Sequence, residues 1–488
     1  MATIPATNPA ASASPGNGQT YRGPFSIMTV LFFLWGFMTV FNDILIPRFK
    51  EAFTLDYYHA MFVQLAFFGA YFIGSLTYYI ISATAGDPIA KIGYKNGVII
   101  GLLIAATGSV LFWPAATMLS YSLFLAGLFI VGLGFAMLQI AANPYVTILG
   151  PERTASSRLN LAQAFNSVGT TIGPLIGGYL IFEYFSKTGV SGADSVKVPY
   201  LAFCIVFVTL AVIFFCIRLP HVGEGKIEPG MGALKHPHVL LGVLAIFMYV
   251  GGEVSLGSTI ISFLGQPSVA GLATVEASKY VSLFWGGMLI GRFMGAVELS
   301  EMKKINKQMS LVAIPILGFL LFWILRSWNG NQHQFDFAAG WVIVKNYLPL
   351  LALCWVLFQF GQALAGRTLL IFGTTIVALL AVSMLEGGKL AMWCIVGVGL
   401  FTSIGWPNIF SLALAGMGVY KSQVSSLLVM AVLGGALLPP LQGKIADILI
   451  KGGNEHGLQI SYIVPLLAYA YVAFYGWKGH RIGRHLSA

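Results

Sequence analysis

Runs of about twenty apolar residues, the length of helix that crosses a hydrocarbon core, recur along the chain and are parted by short joints with turn or charged residues. Unpaired backbone is too costly in lipid, so each run reads as a helix. The first six fall at 25–47, 58–85, 97–117, 120–149, 159–182 and 199–219. A polar joint, "PHVGEGKIEPGMGALKH" at 220–236, then separates two bundles. Helices resume at 239–264 and 279–299 and continue at 309–325, 347–362, 368–385, 391–414, 423–441 and 461–477. Fourteen spans are expected, an even number that leaves both termini on one side.

Composition narrows the class. Of 488 residues, 57% are hydrophobic and only 9% charged, a balance that fits a polytopic membrane protein and no soluble domain. The net charge of +10 does not indicate nucleic acid, because Lys and Arg are spread singly over the joints rather than gathered on one face. Basic residues at Lys91, Lys95, Arg153, Arg158, Lys303, Lys304, Lys307, Arg367, Lys421, Lys478, Arg481 and Arg484 place their joints, and both termini, in the cytoplasm. Residues 1–24 read as a disordered cytoplasmic tail and 478–488 as a second tail, with 220–238 as a cytoplasmic linker. Cys204, Cys216, Cys354 and Cys394 lie in apolar runs without ligand or redox spacing, and His236 and His238 flank a loop proline, so no metal or cofactor is expected.

A faint repeat relates the halves 25–219 and 239–477: "GDPIAKIGYKNG" follows the second span and "GRFMGAVELSEMKKINKQ" the eighth. The two surplus spans then form a hairpin, 309–362, inserted after the eighth and lying at the periphery. Gly169, Gly173 and Gly177 in the fifth span and Gly287, Gly291 and Gly295 in the eighth make one glycine face per helix. Such faces serve close packing anywhere in a bundle; the sharper reading brings these two helices together across the halves.

Polar side chains at membrane depth carry the chemistry. Asp43, in "FNDILIP" of the first span, and Glu253, in "YVGGEVSLGS" of the seventh, are the coupling acids of their halves, since intramembrane carboxylates are costly to hold. The bland alternative is a carboxylate bonded to a neighbouring helix or lying near the interface. Gln139 and Asn143 share a helical face in "MLQIAANPYVTILGP", where Pro144 is expected to distort a turn and free carbonyls for a polar ligand. Asn160, Gln163 and Asn166 follow in "RLNLAQAFNS", and Asn42 adjoins Asp43. Neutral amides suit a ligand with many hydroxyls and no charge; interhelical bonding is their structural alternative. Trp406 and Asn408 in "SIGWPNIFSLAL" add an aromatic plate beside an amide, as a sugar ring requires. Arg292 is expected to snorkel to the cytoplasmic end rather than meet a ligand.

The segments "LFFLWGFMTVFNDILIPRF", "LQIAANPYVTILGPE", "SSRLNLAQAFNSVGT", "GDPIAKIGYK", "YVGGEVSLGS", "IGRFMGA" and "GWPNIFSLAL" resemble the bacterial fucose–galactose–glucose proton-symporter family of the major facilitator superfamily. The likeness runs from about 25 to 477, hairpin apart. It implies an all-α membrane fold of two parallel six-helix bundles plus the hairpin, itself similar to a variant in some glucose/galactose-type members. By resemblance Asp43 matches the first-helix aspartate used in proton-coupled uptake, and Asn160 and Gln163 match fifth-helix sugar-site amides. Fucose permeases of the family carry a fourth-helix glutamate in "LETAANP" and a seventh-helix amide. Here Gln139 and Glu253 stand in those places, which resembles the glucose/galactose branch.

The expected function is hexose:proton symport across a bacterial inner membrane by a monomer whose partners are sugar, proton and lipid bilayer. L-fucose or N-acetylglucosamine symport and uncoupled facilitation are the alternatives within transport. A membrane glycosyltransferase would need a long acidic loop, which the joints do not offer, and a sugar sensor would need a signalling tail longer than the stretch after Trp477.

Overall fold

A computed structural model describes residues 20–39, 49, 52–54, 62–178, 192–217, 219, 230–329 and 334–483. Asn42 and Asp43 lie outside the described residues, as do 1–19 and 484–488.

The first half comprises α1 (Arg22–Thr39), α2 (Phe62–Ala85), α3 (Pro88–Val110), α4 (Tyr121–Ile148), α5 (Ala155–Gly178) and α6 (Lys197–Cys216). The second opens with α7 (Pro237–Leu264) and α8 (Thr274–Glu298). The inserted hairpin follows as α9 (Lys304–Ser327), α10 (Phe337–Val344) and α11 (Leu348–Gly361). The half then closes with α12 (Ala365–Leu385), α13 (Gly388–Thr402), α14 (Gly405–Leu414), α15 (Lys421–Met430), α16 (Gly434–Lys451) and α17 (Ile463–Trp477).

Twelve helical stretches among the described residues are long and apolar enough to cross a membrane. The fourteen expected spans are completed by α1, which has 18 described residues, and α5, whose Arg158, Asn160, Gln163 and Asn166 dilute its apolar character. Neighbours repeat between halves: α1 packs on α5 as α7 does on α16, α2 on α4 as α8 on α13, and α3 on α6 as α12 on α17. This recurrence is the tertiary counterpart of the faint sequence repeat.

Three local features depart from the expected spans. The joint "GDPIAKIGYK" is itself helical: Asp87 accepts from the Ile89 N–H at 2.9 Å as N-cap, Pro88 starts the helix, and Gly93, with φ 82°, kinks it. Pro237 likewise starts α7 two residues before the expected boundary. The span expected over 391–414 is two helices, α13 and α14, broken at 403–404 just before Pro407.

The described part of the hairpin docks on α8. Phe322 sits where a Cβ on Gly286 would fall, Ile290 likewise at Gly318, and the Tyr347 hydroxyl donates to Leu283 O at 3.2 Å. An antiparallel ladder, Trp328 opposite Phe335 and Asn329 opposite Gln334, closes its tip. The four cysteines are free, with Cys354 and Cys394 buried in packing.

Candidate functional site

The two halves meet along α5–α8, α5–α14 and α15 with α2 and α4. Several hydrogen bonds across this seam gather at one end, where the joints 86–87, 149–154, 299–303 and 415–420 lie. Ser422 donates to Asp87, Gly416 N–H to Glu152 at 2.8 Å, and Ser157 to Ala296 O at 2.6 Å. Arg153 pairs with Glu301 on the surface, and Ser156 bonds Ser411 below it. The glycine faces do less here than the sharper reading supposed. α5 and α8 do meet across the halves, yet Gly169 is pressed against Phe33–Phe37 of α1, Gly287 against Tyr347 and Leu400, and Gly291 against Leu400 and Ser403. Gly295, packed on Ile404 of its own half, also lies beside Asn160 of the other.

Above the seam lies a cavity of about 230 Å³ between the halves. α1 contributes Trp35 and Thr39, α2 Tyr71, α4 Gln139, and α5 Gln163, Asn166 and Thr170. From the second half come Tyr249 and Glu253 of α7, Arg292 of α8 and Trp406 of α14. Trp406 Nε1 is buried without a hydrogen-bond partner among the described residues, while Trp35 and Gln139 lie within hydrogen-bonding reach of the Tyr71 hydroxyl. Buried polar groups are rarely left so, and this indole N–H on the cavity wall is a donor available to a polar ligand. Two indole planes give that ligand an apolar surface.

Of the residues singled out from sequence, Gln139, Gln163, Glu253 and Trp406 line the cavity together. Asn160 and Asn408 do not. Both are fully buried, and Asn160 Nδ2 donates to Ser156 O at 2.8 Å and to Asn408 Oδ1 at 2.9 Å, so this amide pair joins the halves under the cavity floor. Asn143 is also fully buried and absent from the lining, inside α4 where the helix packs on its neighbours. Shared helical faces put these amides on the inner side of the bundle, but depth along the helix decided which reach the cavity.

Two further expectations are corrected. Pro144 sits inside a continuous α4, and the carbonyls freed toward its end go to a buried Arg158 rather than to a ligand: Nε donates to Val146 O at 3.0 Å and Nη2 to Pro151 O at 2.9 Å and to Thr147 O. The distorted turn appears instead at 403–404. Pro407 has no N–H for Ser403 O, and Arg292 Nε donates to that carbonyl at 3.3 Å while the Tyr249 hydroxyl donates to Thr402 O at 3.1 Å. Arg292 is therefore buried in the cavity wall, 8% exposed, and does not snorkel, because neutral acceptors from α5 and α13 satisfy it there. Tyr249, Trp35 and Tyr71 also escaped the sequence reading, since aromatics are too abundant here for one to stand out.

Residues 25–366 match the model of the Major Facilitator Superfamily. The chain belongs to the major facilitator superfamily. A glucose/galactose transporter of Brucella abortus is 38% identical over 99% of this chain and 100% of its own length. A putative glucose/galactose transporter of Helicobacter pylori is 36% identical over 93% of this chain and 96% of its own. The L-fucose-proton symporter of Escherichia coli is 29% identical, covering 94% and 93% of the two chains. Among solved structures, the transporter FucP in the outward conformation superimposes with a TM-score of 0.70 at 27% identity, covering 93% of this chain and 98% of that one. This superfamily member is therefore a multi-pass membrane transporter and not an enzyme, and its likeness extends through the cavity-bearing helices of both halves.

Proposed function

We propose that the chain imports a glucose- or galactose-like hexose with a proton by alternating access. The observation that carries this reading is the joining of Glu253 to the amides Gln139 and Gln163 and the indoles Trp35 and Trp406 around one cavity between the halves. An acid able to change charge and neutral groups matched to hydroxyls are the two requirements of sugar–proton coupling. The names of two relatives, glucose/galactose transporters, support the hexose, and that of a third, an L-fucose-proton symporter, supports the proton.

Asp43 acts with Glu253, and Asn42 with the sugar, in this reading. Asn143, Asn160 and Asn408 act through the scaffold rather than by touching sugar. With the basic joints cytoplasmic, the closed seam is on the inside and the cavity faces out. The protein works as a monomer in a bacterial inner membrane with both termini inside, its two halves joined by the cytoplasmic linker 220–238. One proton moving through 100 mV supplies about 2.3 kcal/mol, about a forty-fold sugar gradient.

Purified protein in liposomes tests the proposal. Labelled glucose or galactose should accumulate under an inward pH gradient, unmodified, and lose accumulation when a protonophore collapses the gradient. Equilibration without accumulation would leave uncoupled facilitation.

A further inference from the structure

Arg292 belongs to α8, yet two of its acceptors lie on α5 of the other half. One Nη1 donates to Gln163 O at 3.4 Å and to the Ser167 hydroxyl, while Nε donates to Ser403 O at 3.3 Å. All three acceptors are neutral, and a buried guanidinium without a counter-charge is costly. Glu253 is the one carboxylate among the described residues lining the same cavity. Tyr249 stands between them: its hydroxyl is within hydrogen-bonding reach of both Glu253 and Arg292 and also donates to Thr402 O. Among the described residues, the other titratable groups facing this cluster are Tyr469 of α17, whose ring centroid is 6.2 Å from that of Tyr249, and Tyr71 on the cavity wall from α2.

We propose that Arg292 is a positioning residue that transmits the charge state of Glu253 to the sugar-facing stretch of α5. This rests on Glu253 being the proton-coupling acid. When Glu253 is ionised it competes for the guanidinium, and Arg292 loosens its hold on the Gln163 carbonyl and Ser167. When a proton arrives on the Glu253 carboxylate the attraction ends, and Arg292 returns to α5, the arrangement seen here. Gln163 carries both ends of the link, its carbonyl held by Arg292 and its side chain lining the cavity. Proton binding thereby orders the residue that meets the sugar, and sugar binding in turn favours the proton, as linkage requires.

Tryptophan quenching by D-glucose and by D-galactose, titrated from acid to alkaline pH on the full-length protein, reads this link. For the wild type, affinity should fall at least about fivefold as pH rises, the lower range of coupling between sites. Arg292→Gln should reduce that change to less than about twofold and move its midpoint up by about one pH unit, since Glu253 loses its counter-charge. Arg292→Lys, which keeps the charge without the fork, should restore the midpoint but not the full change. Ser167→Ala removes a single acceptor and should halve the pH-dependent change even where Arg292→Gln does not fold. A wild-type pH profile in folded Arg292→Gln, or in Ser167→Ala, overturns the proposal. Glu253→Gln separates the two ideas. If it abolishes the pH dependence while the Arg292 and Ser167 variants do not, the link alone fails; if it leaves the dependence intact, Glu253 is not the coupling acid and the parent reading fails with it.

Discussion

Asn160 on α5 donates to Asn408 on α14 at 2.9 Å, and this fully buried amide pair joins the two halves directly beneath the cavity. Asn408 also donates to Ala365 O at 3.3 Å, so the bond ties the start of α12 to the other half as well. An alternating-access cycle has to break this bond whenever the inner end opens.

Asn160→Ala leaves Asn408 buried with an unused acceptor, a penalty of about 1–3 kcal/mol against the closed seam. The expected result is a shift toward the inward-open form with little change in the cavity lining. A cysteine at Ser156, in a background lacking Cys204, Cys216, Cys354 and Cys394, should be alkylated from the inside several times faster in Asn160→Ala than without it. Unchanged labelling would contradict a gating role for the pair.

Gln163→Ala removes hydrogen bonds offered to the sugar without opening an apolar cavity. At about 0.5–1.5 kcal/mol for a neutral hydrogen bond, sugar affinity should fall about three- to tenfold while thermal stability in detergent holds. Calorimetry with D-glucose checks this; wild-type affinity in the folded variant would remove Gln163 from the sugar site.

Glu253→Gln imitates the protonated acid permanently. It should bind sugar and carry out sugar-for-sugar exchange, yet lose accumulation driven by a pH gradient, and Asp43→Asn should be at least as severe. Gradient-driven uptake at the wild-type level in reconstituted Glu253→Gln would leave Asp43 as the coupling acid.

Asp87 caps α3 and accepts from Tyr78 of α2 and from Ser422 at the start of α15, so one carboxylate serves helix, bundle and seam together. Asp87→Ala should cost about 1 kcal/mol from the cap alone and more from the orphaned seam contact. Ser422→Ala should lose the seam part only, lower the melting temperature less than Asp87→Ala does, and raise inside labelling at position 156. Equal effects of the two substitutions on melting temperature would show that the cap contributes nothing.

Gly286→Leu tests the docking of the hairpin, because Phe322 occupies the space a side chain would need. Melting temperature should drop with a loss of about 1–3 kcal/mol, the usual scale of overpacking. Sugar affinity should change less than twofold, since no described hairpin residue lines the cavity. A large affinity loss at unchanged stability would mean the hairpin reaches the binding site.

Much of this protein is determined locally. Span length against bilayer thickness settles the helices, and the cost of charge in lipid singles out Glu253, while the one-face spacing of amides brings Gln139 and Gln163 to the inside of the bundle. Those effects act within one helix, so they can be read along the chain. Tertiary structure decided the rest, because depth and partnership depend on where another helix stops. Asn160 and Gln163 lie one turn apart on α5, but α14 ends its approach at the first, so one becomes a bond between halves and the other a cavity wall. Arg292 reads as a surface base until Pro407, more than a hundred residues later, leaves Ser403 O without its helical donor and gives the guanidinium a buried place. A hydrogen bond needs both ends within about 3.5 Å, and only the packing of two halves brings such distant ends together.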